Sequence, residues 1–173
     1  MTQHLLLSMV VAPLLLMGLS GSAVARMRWV RLLTNPVVGW LIFVGVMWGV
    51  HLSPLYDAAL DAEPVHILEH GLFLGAGLCF WACVVGFGAK TYDWPIRMGY
   101  LIAALPTQSF LGLLIYSADR SLYSHYPSLD EQRAGALVMW LGGDAVMLIA
   151  LGVCGALWLK HLGQQERAED QVA

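Results

Sequence analysis

His66 and His70 are the residues whose types and spacing point most directly to chemistry. They stand four apart in the stretch Pro64-Val65-His66-Ile67-Leu68-Glu69-His70. On a helix, residues four apart share a face, one turn from each other. Two neutral imidazoles so placed can hold one soft or borderline metal ion. Glu69 points in a different direction around the helix from His70. Its expected role is to orient a neighbouring imidazole rather than to bind metal. Pro64 suits a first helical turn, where its missing N–H is not needed. The plainer alternative is a pair of interfacial histidines that hydrogen-bond and hold no metal.

Composition decides what kind of element carries this pair. The chain has 173 residues, 58% of them hydrophobic and only 12% charged, with a mean hydropathy of +0.67. A soluble domain would carry about twice that charge. The apolar residues come in long blocks, which read as membrane spans. Five are expected, at residues 4–20, 36–54, 65–88, 98–117 and 134–159. The first is not a cleaved signal peptide, because its positive charge follows the apolar run. Short loops make neighbouring helices antiparallel. The expected fold is therefore an all-α integral membrane protein, a compact transmembrane bundle forming one domain over residues 1–162. A polar, frayed cytoplasmic tail covers 163–173. Gly39, Gly45 and Gly49, and then Gly71, Gly75 and Gly77, read as helix-packing seams. The net charge of −3 leaves no basic surface for nucleic acid. Cys79, Cys83 and Cys154 fall inside apolar blocks and make no disulfide framework.

Charge sets the orientation. Arg26, Arg28 and Arg31 place the first loop in the cytoplasm. The second, with Asp57, Asp61 and Glu63, is acidic and lies outside. Lys90 and Arg97, then Lys160 and Arg167, return to the cytoplasm. The N-terminus is then outside and the C-terminus cytoplasmic. His4, His51, His66 and His70 share one depth at the outer face, with His125 nearby and only His161 at the inner face. One reading is a metal or heme site open to the outer compartment; the other is a set of histidines anchoring helix ends. Copper suits imidazoles with Met1, Met9 and Met139 in the same half, and zinc fits the imidazoles equally. A di-iron carboxylate site needs about four carboxylates, and Glu69 is alone in this layer. Asp144, at mid-membrane, handles protons or ions, or is a packed polar contact to a backbone group or Gln108. Cys79 and Cys83, four apart, are copper ligands or ordinary small buried residues.

Four stretches, in order, resemble the CtaG family of bacterial cytochrome c oxidase assembly factors. Gln3-His4 with Leu5-Leu6-Leu7 and Ala12-Pro13-Leu14 is similar to the first family motif. Trp48 through His51, then Pro54-Leu55-Tyr56-Asp57-Ala58-Ala59-Leu60, is similar to the second. His66-Ile67-Leu68-Glu69-His70 with Phe80-Trp81 resembles the third. Asp130-Glu131-Gln132-Arg133-Ala134-Gly135 with Met139-Trp140 and Gly142-Gly143 resembles the last. The resemblance implies a nonenzymatic membrane factor that helps build the copper-containing heme–copper centre of a terminal oxidase. It carries the family's histidines onto His4, His51, His66 and His70 as metal ligands, with copper as the ion. It implies an oxidase subunit and a copper donor protein as partners, in the bacterial inner (plasma) membrane. Family members usually have additional N-terminal spans and a further histidine four before the one matching His4, so the chain reads as a short form, a fragment, or a gene with a late start. Glu131 also stands between Asp130 and Gln132, where the family has an Asp-Gln pair. The alternatives are a heme-binding membrane electron-transfer subunit and a structural subunit without metal. An ion transporter built on Asp144 is weaker, since no inverted repeat is evident.

Overall fold

The computed structural model describes residues 1–88 and 91–171, apart from the side chains of Arg28, Trp29 and Arg31. Lys90, one of the charges used for orientation, lies outside the described residues. The described chain is helical, in the order α1 (Thr2–Gly18), α2 (Arg28–Leu33), α3 (Pro36–His51), α4 (Leu55–Asp61), α5 (Glu63–Val85), α6 (Trp94–Tyr116) and α7 (Leu129–Asp170).

Local chemistry accounts for most of these boundaries. Asn35 caps α3, its side-chain oxygen accepting the N–H groups of Val37 at 3.0 Å and Val38 at 3.3 Å, and Pro36 fills the first turn. α5 stops at Gly86, which turns left-handed with φ of 78°, a conformation glycine adopts without strain. Ser128 caps α7 by accepting the Glu131 N–H at 3.3 Å. Asp130 and Glu131 then complement the dipole of its first turn.

α1 is not uniform. Leu6–Val11 forms a wider π-helical turn. In such a turn the Ser8 carbonyl would pair with the N–H of residue 13, but Pro13 has none. The indole N–H of Trp81, on α5, donates to it instead at 2.9 Å. The two helices touch closely here. A Cβ on Gly77 would stand 2.6 Å from the Ser8 carbonyl oxygen and 2.8 Å from Ser8 Cα, so only glycine fits. Of the two expected glycine seams, Gly77 and Gly39 pack in this way. Gly45, Gly49, Gly71 and Gly75 do not, since an added Cβ at each meets nothing within 4 Å.

α5 is the organising helix, with α1, α3 and α4 against it, while α6 and α7 pair with each other. Its span is 50% buried, against 22% for α7, so α7 is the peripheral helix. Three helices, α5, α6 and α7, are long and apolar enough to cross a membrane. The count rises to four if α3 and α4, bent by 66°, form one broken span. α1 is apolar but short, about 26 Å at 1.5 Å per residue, against a hydrocarbon core of roughly 30 Å. The expected second span, 36–54, ends at His51 and turns sharply through Leu52-Ser53-Pro54 into α4. The polar tail expected to fray is helical through Asp170, as its run of Gln164, Gln165, Glu166, Arg167 and Ala168 favours.

Candidate metal centre

Three helices deliver the histidines to one place. α1 supplies His4 at its start, α3 supplies His51 at its end, and α5 supplies His66, Glu69 and His70. The His4 ring lies 5.2 Å from that of His70 and 6.4 Å from that of His51, edge-on to both. His4 is stacked on Phe73 at 4.3 Å. His66 stands on the far side of His70, with rings 4.2 Å apart.

The tightest group is His4, Glu69 and His70, whose ligand atoms all lie within 4.8 Å of one another. Glu69 belongs to it directly: its Oε2 sits 3.1 Å from His4 Nε2. This contact is the one expected of a carboxylate that orients a neighbouring imidazole, and the same position lets Glu69 offer a ligand atom beside His4 and His70. The sequence signal was present, because an acid inside an apolar span must find a partner. What spacing could not show is that α1 supplies one.

Hydrogen bonding selects the ring nitrogens. His51 Nδ1 lies 2.7 Å from the Met47 carbonyl and His70 Nδ1 lies 2.9 Å from the His66 carbonyl. A carbonyl only accepts, so each Nδ1 carries the hydrogen and each Nε2 keeps a free lone pair. A carbonyl behind the imidazole is a usual way to orient a metal-ligating ring. His51 Nε2, His4 Nδ1 and Glu69 Oε1 are buried without a hydrogen-bond partner among the described residues. Three orphaned polar atoms in one apolar interior are costly as they stand. A bound cation would satisfy lone pairs of this kind, so the donor set fits a metal ion.

The centre is not a site open at the outer face, as the charge pattern had implied. Glu69 is 1% exposed, His51 2% and His4 7%. The reason is tertiary. The connection from α6 to α7 folds over the histidines, together with Tyr56 of α4. Tyr123 is buried and donates its hydroxyl to the His51 carbonyl at 3.1 Å. Burial pushes its phenol well above the usual tyrosine range, so it remains a donor. Tyr56 packs on Tyr123 with rings 4.3 Å apart and meets Tyr126 through their hydroxyls at 3.4 Å. The cover is tied down at both ends. Asp57 accepts the Ser124 N–H at 3.1 Å, and Asp61 lies 3.0 Å from His125 Nε2. Buried Gln132 accepts the Leu122 N–H at 2.6 Å and donates to the Ile115 carbonyl at 3.3 Å.

His161 is exposed near the end of α7. Met9 and Met139 are core residues. The three cysteines are free thiols, and the metal-capable group found among the described residues contains none of them. Asp144 takes its hydrogen bond from the Ser109 hydroxyl at 2.7 Å, rather than from Gln108.

The chain is similar to the uncharacterized protein ML1998 of Mycobacterium leprae (strain TN), with 23% identity over 153 residues. That alignment covers 82% of this chain and 23% of the relative. It is also similar to the uncharacterized protein Mb0105 of Mycobacterium bovis, with 21% identity over 158 residues covering 84% of this chain and 24% of the relative. The chain thus spans about a quarter of the length of these curated relatives. No solved structure matches it. The family model described as cytochrome c oxidase caa3 assembly factor (Caa3_CtaG) matches residues 1–161, nearly the whole of the bundle that encloses the histidine–glutamate cluster, and the chain belongs to that family.

Proposed function

We propose that the chain is a membrane-embedded assembly factor for cytochrome c oxidase that holds copper inside its helical bundle on the way to the oxidase's heme–copper centre. It is not an enzyme, in keeping with its family of assembly factors. Copper here is cargo, bound by His4, Glu69 and His70, with His51 and His66 as auxiliary donors on either side. Two neutral imidazoles and one carboxylate form a donor set that copper accepts, and a site of so few ligands can release its ion to a partner. The recipient is the oxidase subunit that carries the heme–copper centre, and a separate copper donor protein loads the site.

The single observation that carries metal holding is the trio of buried His4 and Glu69 with half-buried His70, its ligand atoms within 4.8 Å and its neighbourhood rich in partnerless polar atoms. Phe73 and Tyr56 pack against His4. They leave the trio suited to an ion rather than to a planar macrocycle, which favours copper over heme.

The chain works in the bacterial plasma membrane as a multi-pass protein. α1 is the first of five apolar segments, with the N-terminus outside and the C-terminus in the cytoplasm. The residues to 162 act as one domain, with a cytoplasmic tail beyond.

The test is elemental analysis of protein purified from membranes. Wild type is expected to carry copper. His4→Ala, Glu69→Gln and His70→Ala should each lower occupancy at matched protein level, and His161→Ala should leave it unchanged. Full copper in all three centre variants overturns the site. Zinc in place of copper overturns the cargo.

A further inference from the structure

We propose that the apolar groove between α1, α3 and α5 holds an acyl chain of an anionic bilayer phospholipid, with the lipid phosphate at the basic stretch 26–31. The groove has a volume of about 450 Å³ and is walled by Leu16, Ile42, Val46, Leu72 and Leu78 among others. Thr34 and the Cys79 thiol are the departures from an otherwise hydrocarbon lining. Water there would lack the two to four polar partners it needs, so in a bilayer the groove fills with lipid hydrocarbon.

Its dimensions fit one leaflet. The α5 wall runs from Gly71 to Ala82, about 16 Å at 1.5 Å per residue. Half of a hydrocarbon core is roughly 15 Å. Gly71 and Gly75 form part of this wall, and an added Cβ at either meets nothing within 4 Å. These glycines therefore keep space open instead of seating a helix.

Charge at one end selects the headgroup. Val24, Val30 and Leu33 line the groove, and the same short stretch carries Arg26, Arg28 and Arg31. Arg26 is exposed. No acidic residue occurs in the sequence before Asp57, and the ion pairs among the described residues include none to Arg26. Basic clusters beside a membrane attract anionic headgroups. A zwitterionic lipid would satisfy the groove but not the arginines.

The test uses the full chain purified in mild detergent, with bound lipid read by mass spectrometry and thermal stability read with added phosphatidylglycerol or phosphatidylcholine. Wild type should retain phosphatidylglycerol and gain more stability from it than from phosphatidylcholine. Gly71→Leu with Gly75→Leu should lose the retained lipid while keeping its helix content; Gly75→Val gives the same reading if the double variant does not fold. Arg26→Gln with Arg28→Gln and Arg31→Gln should weaken phosphatidylglycerol binding by roughly fivefold or more and leave phosphatidylcholine unaffected. Equal stabilisation by the two lipids overturns the headgroup assignment. Unchanged lipid in the filled variants, or loss of a self-associated form in place of lipid, overturns the groove as a lipid site.

Discussion

Glu69 sits in the one environment where its chemistry has few alternatives. It is buried among aromatic and imidazole rings, with one oxygen on His4 and the other without a partner among the described residues. Glu69→Gln keeps the size but replaces an anionic donor with a neutral amide. Copper retained by the purified protein should fall by about tenfold or more, approaching the effect of His70→Ala. A loss no greater than that of His161→Ala would show that the carboxylate contributes nothing to binding. Asp144 gives the opposite expectation. Its contact is a hydrogen bond from Ser109 across the α6–α7 interface, which an amide oxygen can also accept. Asp144→Asn should leave both protein level and oxidase assembly unchanged. Normal protein level with lost assembly would assign Asp144 to proton or ion handling instead.

Among the elements, the crossing of α1 and α5 decides where His4 stands. Gly77 lets Ser8 and Ala12 approach, and Trp81 holds the Ser8 carbonyl that Pro13 leaves unpaired. Gly77→Ala should overpack this crossing and cost about 1–3 kcal/mol. It should also lower metal content by moving α1 away from Glu69. Gly71→Ala, facing open space on the same helix, should change neither. Thermal unfolding and copper content measured on the pair distinguish a local packing requirement from a general sensitivity of α5. The α6–α7 connection is the second decisive element. Gln132 braces it from the start of α7, so Gln132→Ala should loosen the cover over His51 while leaving the ligands in place. Faster loss of copper to a chelator, at equal starting occupancy, is the expected result. An unchanged release rate would mean that the cover does not control access.

On the scale of the whole molecule, the proposed topology gives a direct expectation. Reporter fusions after Arg28 and Lys160 should lie in the cytoplasm, and fusions after Asp61 and Ser124 outside. A cytoplasmic Asp61 would put α4 and the start of α5, with His66 and His70, on the cytoplasmic side and overturn this topology. The broken α3–α4 pair makes this the sensitive position, since a 66° bend need not carry the chain across.

Much of this molecule was set by sequence alone. Long apolar blocks with few charges can only be helices in a membrane, and Asn35, Pro36, Gly86 and Ser128 mark helix ends by local hydrogen bonding and backbone preference. The meeting of His4, His51 and His70 followed from their places at the start, end and start of successive antiparallel helices. Three things came only from the tertiary structure, and each for the same reason. Whether a glycine packs or leaves a groove depends on what stands opposite it, which separates Gly77 from Gly71 and Gly75. Whether Glu69 meets an imidazole from another helix depends on α1 reaching it. Whether the centre faces solvent depends on Tyr56 and Tyr123 folding over it, although the loop that brings Tyr123 reads as polar. Periodicity along one helix reports its own faces, and only the assembled neighbours decide what each face meets.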